Sequence, residues 1–452
     1  MIYQRYCATA LAVLLSFLNV AAAQHVDGYG DKIGTVSFPV TGKQLAATRV
    51  ERGVALLHHM MYASADRVFA EAIEADSDCA MAYWGRAMTL IHPIWPDTPN
   101  DEMLRKGSEL VKEAKVRGRK TIREQAYIGT VDAYFRNGTE RDEGSRLASF
   151  EDAWKRVYEN HPRDIEAAAF YALAHMATAS TTDKTYKQQR RAGEIATHIL
   201  EQVPDHPGGH HYLIHAYDFP PLAEMALPVA RNYGKIAPNV PHALHMPTHI
   251  FTRRGLWQES IDWNIRSAYA AWKMGVNDGG ISVHYMHALD YLAYAYLQGA
   301  EDKKANAVVE LTRSIEWKQL ESNLAGAAYA FASIPARLQL ERQDWSKAAK
   351  VTPREPKEFP WGDKFAQFEA ISHFSRALGA ARSGDKESSR AALTELNKLQ
   401  AKSQKNSPYW GKQVEIRRLS ALAWLEFSGG AGRFAAATVM QAAKSSAERA
   451  LV

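Results

Sequence analysis

Nine of the 17 histidines in this 452-residue chain fall between residues 206 and 287, leaving eight for everything else. Their spacing is more telling than their number. His211 and His215 are four apart, and so are His245 and His249. On an α-helix that interval stacks two side chains on one face, so both imidazoles can address one point. Asp218 follows His215 by three residues, and His242 precedes His245 by three. Neutral imidazoles joined by one or two carboxylates suit Zn, Cu, Fe or Ni. The inventory disfavours Mg and Ca, which take oxygen ligands. One such pair on a helix is commonly surface decoration; two in register on adjacent helices are far harder to obtain by chance.

The elements that must carry these residues are repeats. Residues 46–79 hold Gly53, Leu56, Ala65, Phe69 and Ala72 at the small and aromatic positions of a 34-residue helix–turn–helix unit. The offsets return from 207 (Leu213, Ile214, Tyr217, Ala226, Ala230, Tyr233, Pro238) and from 241 (Phe251, Gly255, Trp257). Later units are marked by Ala293, Tyr296, Gly299 and Ala305, by Ala336, Leu340 and Ala348, by Ala377, Gly384 and Leu393, and by Trp424, Phe427, Ala436 and Ala443. Units near 80–140 and 165–204 fit less well. About nine units are expected across 46–452, with residues 206–290 the histidine-rich part.

Over roughly 46–450 the chain resembles the tetratricopeptide repeat (TPR) superfamily. The strings His210–Asp218, Pro241–Phe251 and His287–Leu292 resemble a group of exported bacterial repeat proteins. The resemblance implies an all-α, right-handed TPR-like α-solenoid. It also implies that positions 2, 5, 9 and 12 of each first helix line an inner groove. Those positions hold Gly208, His211, His215 and Asp218 in one unit, His242, His245, His249 and Thr252 in the next, and His287, Asp290, Tyr294 and Leu297 in a third. First helices of adjacent units run ~8–10 Å apart, so their side chains can converge. The expected ligands are His215, His245, His249 and His287, with Asp218 and Asp290 as ligands or as groups that orient them. His211, His242, His284, Tyr294 and Arg337 are the further groove candidates, Arg337 more naturally as the partner of a nearby acid. His58 and His59 close an apolar helix and fit either a core or a site role.

Arg5, an apolar run from Cys7 to Val20 and Ala21-Ala22-Ala23 read as a signal peptide over 1–23, followed by an extended segment over 24–45. The expected location is therefore periplasmic or secreted. Cys79 would then be the one remaining cysteine, and the fold must be held by its core. The net charge of +5 is scattered, without a basic cluster interleaved with aromatics, so nucleic acid is not an expected partner. No later stretch approaches ~20 apolar residues, so no membrane span is expected. P-loop, dinucleotide, G-x-S-x-G, H-E-x-x-H and C-x-x-C motifs are absent.

Two readings follow. In one, the groove holds a divalent transition metal (Zn, Cu or Fe) through His and Asp, and the open chemistry is metal-dependent hydrolysis or oxidation. In the other, the chain is a metal-free TPR module of the cell envelope that grips a protein or peptide. Either way the expected ligand is a small molecule or peptide in the concave groove.

Overall fold

The structure, a computed structural model, describes residues 28–428 except 96–97, 279–281 and 321–323, together with 437, 439–441 and 444. The expected signal peptide and the repeat markers Ala436 and Ala443 lie outside the described residues. Among those described there are twenty α-helices and no β-strand. The described residues fall into two compact units: those up to 178 with 192–212 and 235–240 form one, and 179–191, 213–234 and those from 241 onward form the other.

The first unit contains α1 (Gln44–His58), α2 (Tyr62–Ala75), α3 (Ala80–Met88), α4 (Asp101–Val116), α5 (Ile122–Phe135), α6 (Glu143–Asn160) and α7 (Ile165–Ala177). Each helix packs on the next, and α1, α3 and α5 also pack on one another as alternate members of the stack. This is a stack of helical hairpins in which alternate helices share a layer. The close approach rests on small residues. A Cβ on Gly53 of α1 would lie 2.5 Å from the Phe69 ring of α2, and one on Gly85 of α3 would lie 2.3 Å from the same ring. Phe69 is fully buried between them. Turn chemistry sets the helix starts. Asn100, Asp142 and Asp164 cap α4, α6 and α7, and Thr121 and Glu124 form a capping box at α5.

Three helices follow: α8 (Lys187–Gln202), α9 (Pro207–Tyr217) and α10 (Ala223–Ile236). The second unit then continues with α11 (Pro241–His245), α12 (Pro247–Arg254), α13 (Trp257–Asp278), α14 (Val283–Gln298), α15 (Asp302–Arg313), α16 (Leu324–Glu341), α17 (Trp345–Ala348), α18 (Ala366–Ser383), α19 (Lys386–Asn406) and α20 (Pro408–Ser428). Here α14, α16, α18 and α20 form the alternate layer. Leu289, Phe331, Phe359, Trp361 and Phe368 stand in the shared core of α14, α16 and α18. The described residues thus form an all-α stack of hairpins, and the stretches near 80–140 and 165–204, the weakest parts of the sequence pattern, are helical as well.

One first helix is not continuous. Pro247 has no N–H to give, and the 241–254 stretch breaks there into α11 and α12. Met246 remains in helical geometry at the junction, so the four-residue spacing between His245 and His249 keeps both on one side.

Candidate metal centre

Within the second unit, ring nitrogens of His245, His249 and His287 come within 4.8 Å of one another. Three helices supply them: α11 ends in His245, α12 carries His249, and α14 carries His287. Nε2 of His245 and Nε2 of His249 face each other at 3.1 Å. The rings of His245 and His287 are 4.3 Å apart, centre to centre. Tyr291, one turn beyond His287, packs its ring edge-on to His245 at 4.7 Å and obliquely on His249 at 5.0 Å.

The opposite nitrogens fix the tautomers. His245 Nδ1 meets Asn264 Oδ1 at 2.9 Å, while the Asn264 amide donates to the Ser260 carbonyl at 2.9 Å. The Asn264 oxygen therefore accepts, and the His245 proton sits on Nδ1. His249 Nδ1 donates to Asp218 Oδ2 at 2.8 Å, which places its proton on Nδ1 too. Both Nε2 lone pairs then point at each other. Two lone pairs at 3.1 Å repel unless a cation or a proton lies between them. Tetrahedral coordination at a Zn–N distance of ~2.0–2.1 Å sets ligand nitrogens ~3.3 Å apart, close to the separation observed.

Burial favours the neutral form of His245, His287, His284 and His215. Burial, helped by His287 and His249, holds His245 well below the usual imidazole range. Burial and His249 bring His287 down to about 4, and burial brings His284 to about 4. Burial and His249 lower His215 to about 3. Burial alone would raise the Asp218 carboxyl, but His249 and Arg253 outweigh it and bring it down to about 2. Asp218 is thus a carboxylate shared between His249 and Arg253, whose Nε lies 2.8 Å from the second oxygen. His245 is buried, whereas His249 keeps 16% of its side chain exposed, so the pocket has a wet side.

The remaining expected residues are distributed around this trio. His215 lies next to it, 6.4 Å ring to ring from His249. Its neighbour Asp218 acts on His249 through Nδ1, as a group that orients a ligand. His242 stands 6.3 Å from His245 and 5.2 Å from His284, continuing the row of imidazoles. Asp290 does not join the trio: one of its oxygens takes Arg337 Nη1 at 2.8 Å and Ser333 Oγ at 2.7 Å. A buried carboxylate is costly without a cation, and Arg337 lies within reach of it. Arg337 serves as that acid's partner and also covers Tyr294 at 5.4 Å. Tyr294 packs edge-on to Trp257. His211 belongs to the first unit, its Nδ1 2.6 Å from the His58 carbonyl.

Sequence reasoning passed over Asn264 and Tyr291. The spacing of Ser260, Asn264 and Ser267 at helical intervals could be read from the sequence, but only the structure shows that all three are fully buried on α13. Ser267 Oγ donates to the Pro241 carbonyl at 2.8 Å, so it ties α13 to the start of α11.

A second cluster lies in the first unit, where His58, Glu166 and His206 also bring ligand atoms within 4.8 Å. Its hydrogen bonding is different. Gly209 N–H donates to His206 Nδ1 at 3.0 Å, so the His206 proton is on Nε2, which donates to Glu166 Oε1 at 3.2 Å. His58 Nε2 donates to Glu166 Oε2 at 2.6 Å, and its Nδ1 takes the Tyr212 hydroxyl at 2.9 Å. Burial would raise the Glu166 carboxyl, but His206 and His58 reverse this and hold it well below the usual carboxylate range. Each ring nitrogen already has a matched partner. A metal on His206 Nε2 would force a proton onto Nδ1, against the Gly209 N–H. The geometry here is that of a closed hydrogen-bond network.

No family model matches the chain, and no curated protein does. Similar solved structures include Naa15/Naa10 bound to HypK-THB, 11% identical over 85% of this chain and 62% of that one, with a TM-score of 0.23. The chain therefore spans less than two thirds of that protein's length. The P58(IPK) TPR domain is also 11% identical, over 85% of this chain and 99% of its own, with a TM-score of 0.20. Likeness at that level carries nothing about the site.

Proposed function

We propose that this protein binds a transition metal ion in its second helical unit, with His245, His249 and His287 as ligands. The observation that carries the reading is the approach of His245 Nε2 and His249 Nε2 to 3.1 Å, with an oxygen acceptor at the Nδ1 of each ring. Imidazole bound to a metal characteristically gives its other N–H to a carboxylate or amide oxygen, which fixes ring orientation and raises basicity. Asp218 and Asn264 occupy those two roles. Three nitrogens leave a fourth position for water or a substrate, the layout of reactive rather than purely structural sites. Neutral nitrogen donors without thiolate suit Zn, Cu or Fe. With the expected signal peptide, the metal would be held outside the cytosol.

The test is elemental analysis of protein purified without an affinity tag or chelating resin. Wild type should carry close to one equivalent of Zn, Cu or Fe. His245→Ala/His249→Ala should lose it while keeping its helical circular dichroism. A wild-type protein that arrives empty and takes up none of these ions at neutral pH would sink the proposal.

A further inference from the structure

Residues 29–43 precede the first helix and run without secondary structure across the first unit, yet they are held at almost every step. The grip is on the backbone and comes from side chains. Carboxylates take the amide groups: Ser37 N–H donates to Glu166 at 3.4 Å, Phe38 N–H to Glu51 at 2.9 Å, Thr41 N–H to Glu124 at 2.6 Å and Lys43 N–H to Asp76 at 2.7 Å. Donors take the carbonyls: Asn239 Nδ2 reaches Tyr29 O at 3.2 Å, Arg52 reaches Gly30 O at 2.8 Å, and His59 Nε2 reaches Ile33 O at 2.9 Å. Main-chain pairing adds one bond, Thr35 N–H to Asp205 O at 3.2 Å.

Three side chains of the segment are buried, Tyr29, Ile33 and Phe38, and the intervening ones are largely exposed. Phe38 stacks on Trp84 at 5.3 Å, meets the edge of Tyr127 at 5.4 Å and lies under the Arg123 guanidinium at 4.7 Å. Tyr29 reaches Ser64 through its hydroxyl at 3.0 Å. Backbone held by polar side chains, with spaced anchors in apolar pockets, is how extended peptides are recognised.

We infer that this face of the first unit is a recognition site for an extended peptide, occupied in cis by the protein's own residues 29–43. The ligand it fits is an unstructured chain with aromatic, aliphatic and aromatic anchors at the spacing of Tyr29, Ile33 and Phe38. Specificity lies at the anchors, because the four carboxylates and the three donors read main-chain groups that any sequence offers.

The test uses the full chain with a protease recognition sequence inserted between the exposed residues Gly42 and Lys43. After cleavage under native conditions, the released segment should co-elute with the body in size exclusion. A fluorescein-labelled synthetic peptide of residues 28–42, added in excess, should then displace it and raise the anisotropy. The same peptide with Phe38→Ala should bind at least ten-fold more weakly. Three results would each overturn the inference: unfolding of the cleaved protein, retention of the native segment without exchange for the labelled peptide, or equal binding of the Phe38→Ala peptide. The first two would make the segment an integral part of the core.

Discussion

The metal reading turns on where two protons sit. Asn264 carries no charge and lies on the side of His245 away from the proposed ion, so it acts solely by accepting the Nδ1 proton. Removing that acceptor lets the proton move to Nε2 and blocks the lone pair. Asn264→Ala should therefore weaken metal binding about 10–100-fold, the range found for such outer partners. Asn264→Asp, which retains an acceptor, should recover much of the loss. Competition titrations against a chromogenic chelator read both, and an Asn264→Ala protein with wild-type affinity would show that Asn264 does not set the tautomer. Asp218 and Asp290 look alike in the sequence, each three residues after a histidine. The structure separates them through partners that spacing does not reveal. Asp290 is taken by Arg337, 47 residues away, whereas Asp218 divides its two oxygens between His249 and Arg253.

At the scale of helices, the repeat lattice was legible because small and aromatic residues at fixed offsets are a physical requirement of stacked hairpins. Phe69 and Gly53 were readable from one unit; that Gly85 presses on the same ring from the next unit follows only from the packing. Gly85→Ala should therefore cost about 1–3 kcal/mol through overpacking, although alanine is the better helix former. Gly85→Ala/Phe69→Leu should recover part of that cost, and urea midpoints at a constant m-value measure both. Equal stability of Gly85→Ala and wild type would mean that the Phe69 ring has room to move. The histidine pairs were legible for the same reason as the lattice, since a four-residue interval has one meaning on a helix. The junction at Pro247 was not, because whether a proline ends a helix or is absorbed in it depends on the helices packed around it. The Glu166 network was also out of reach. Its members lie at 58, 166 and 206, and no local pattern joins residues that far apart.

For the molecule as a whole, buried histidines govern the response to acid. His59 and His215 are lowered to about 3, and His284 and His287 to about 4, in each case chiefly by burial. In the unfolded chain each titrates near ~6.5. Between those values the unfolded state binds the proton and the folded state does not, so stability falls as pH falls through that window. Each such histidine contributes a slope of up to ~1.4 kcal/mol per pH unit. Metal-free protein kept in chelator should therefore lose stability steeply from about pH 6.5 towards pH 4. The lowered carboxyls of Asp218 and Glu166 add their own loss at the acid end, from about pH 4 downwards, where the unfolded carboxyls take up protons and the folded ones do not. Urea midpoints at pH 7.5, 6 and 5 test this, and a midpoint that does not move would show that these rings take up protons without unfolding.

The segment ahead of the first helix also has a place in time. Its carbonyl at Tyr29 is held by Asn239, a residue made 210 positions later. At synthesis rates of roughly 5–20 residues per second, about 10–40 s pass before this last contact can exist. The partners of Ile33 and Phe38 (His59, Trp84 and Tyr127) are all made before Asn239, so the segment can seat its later anchors well before its Tyr29 end is tied down.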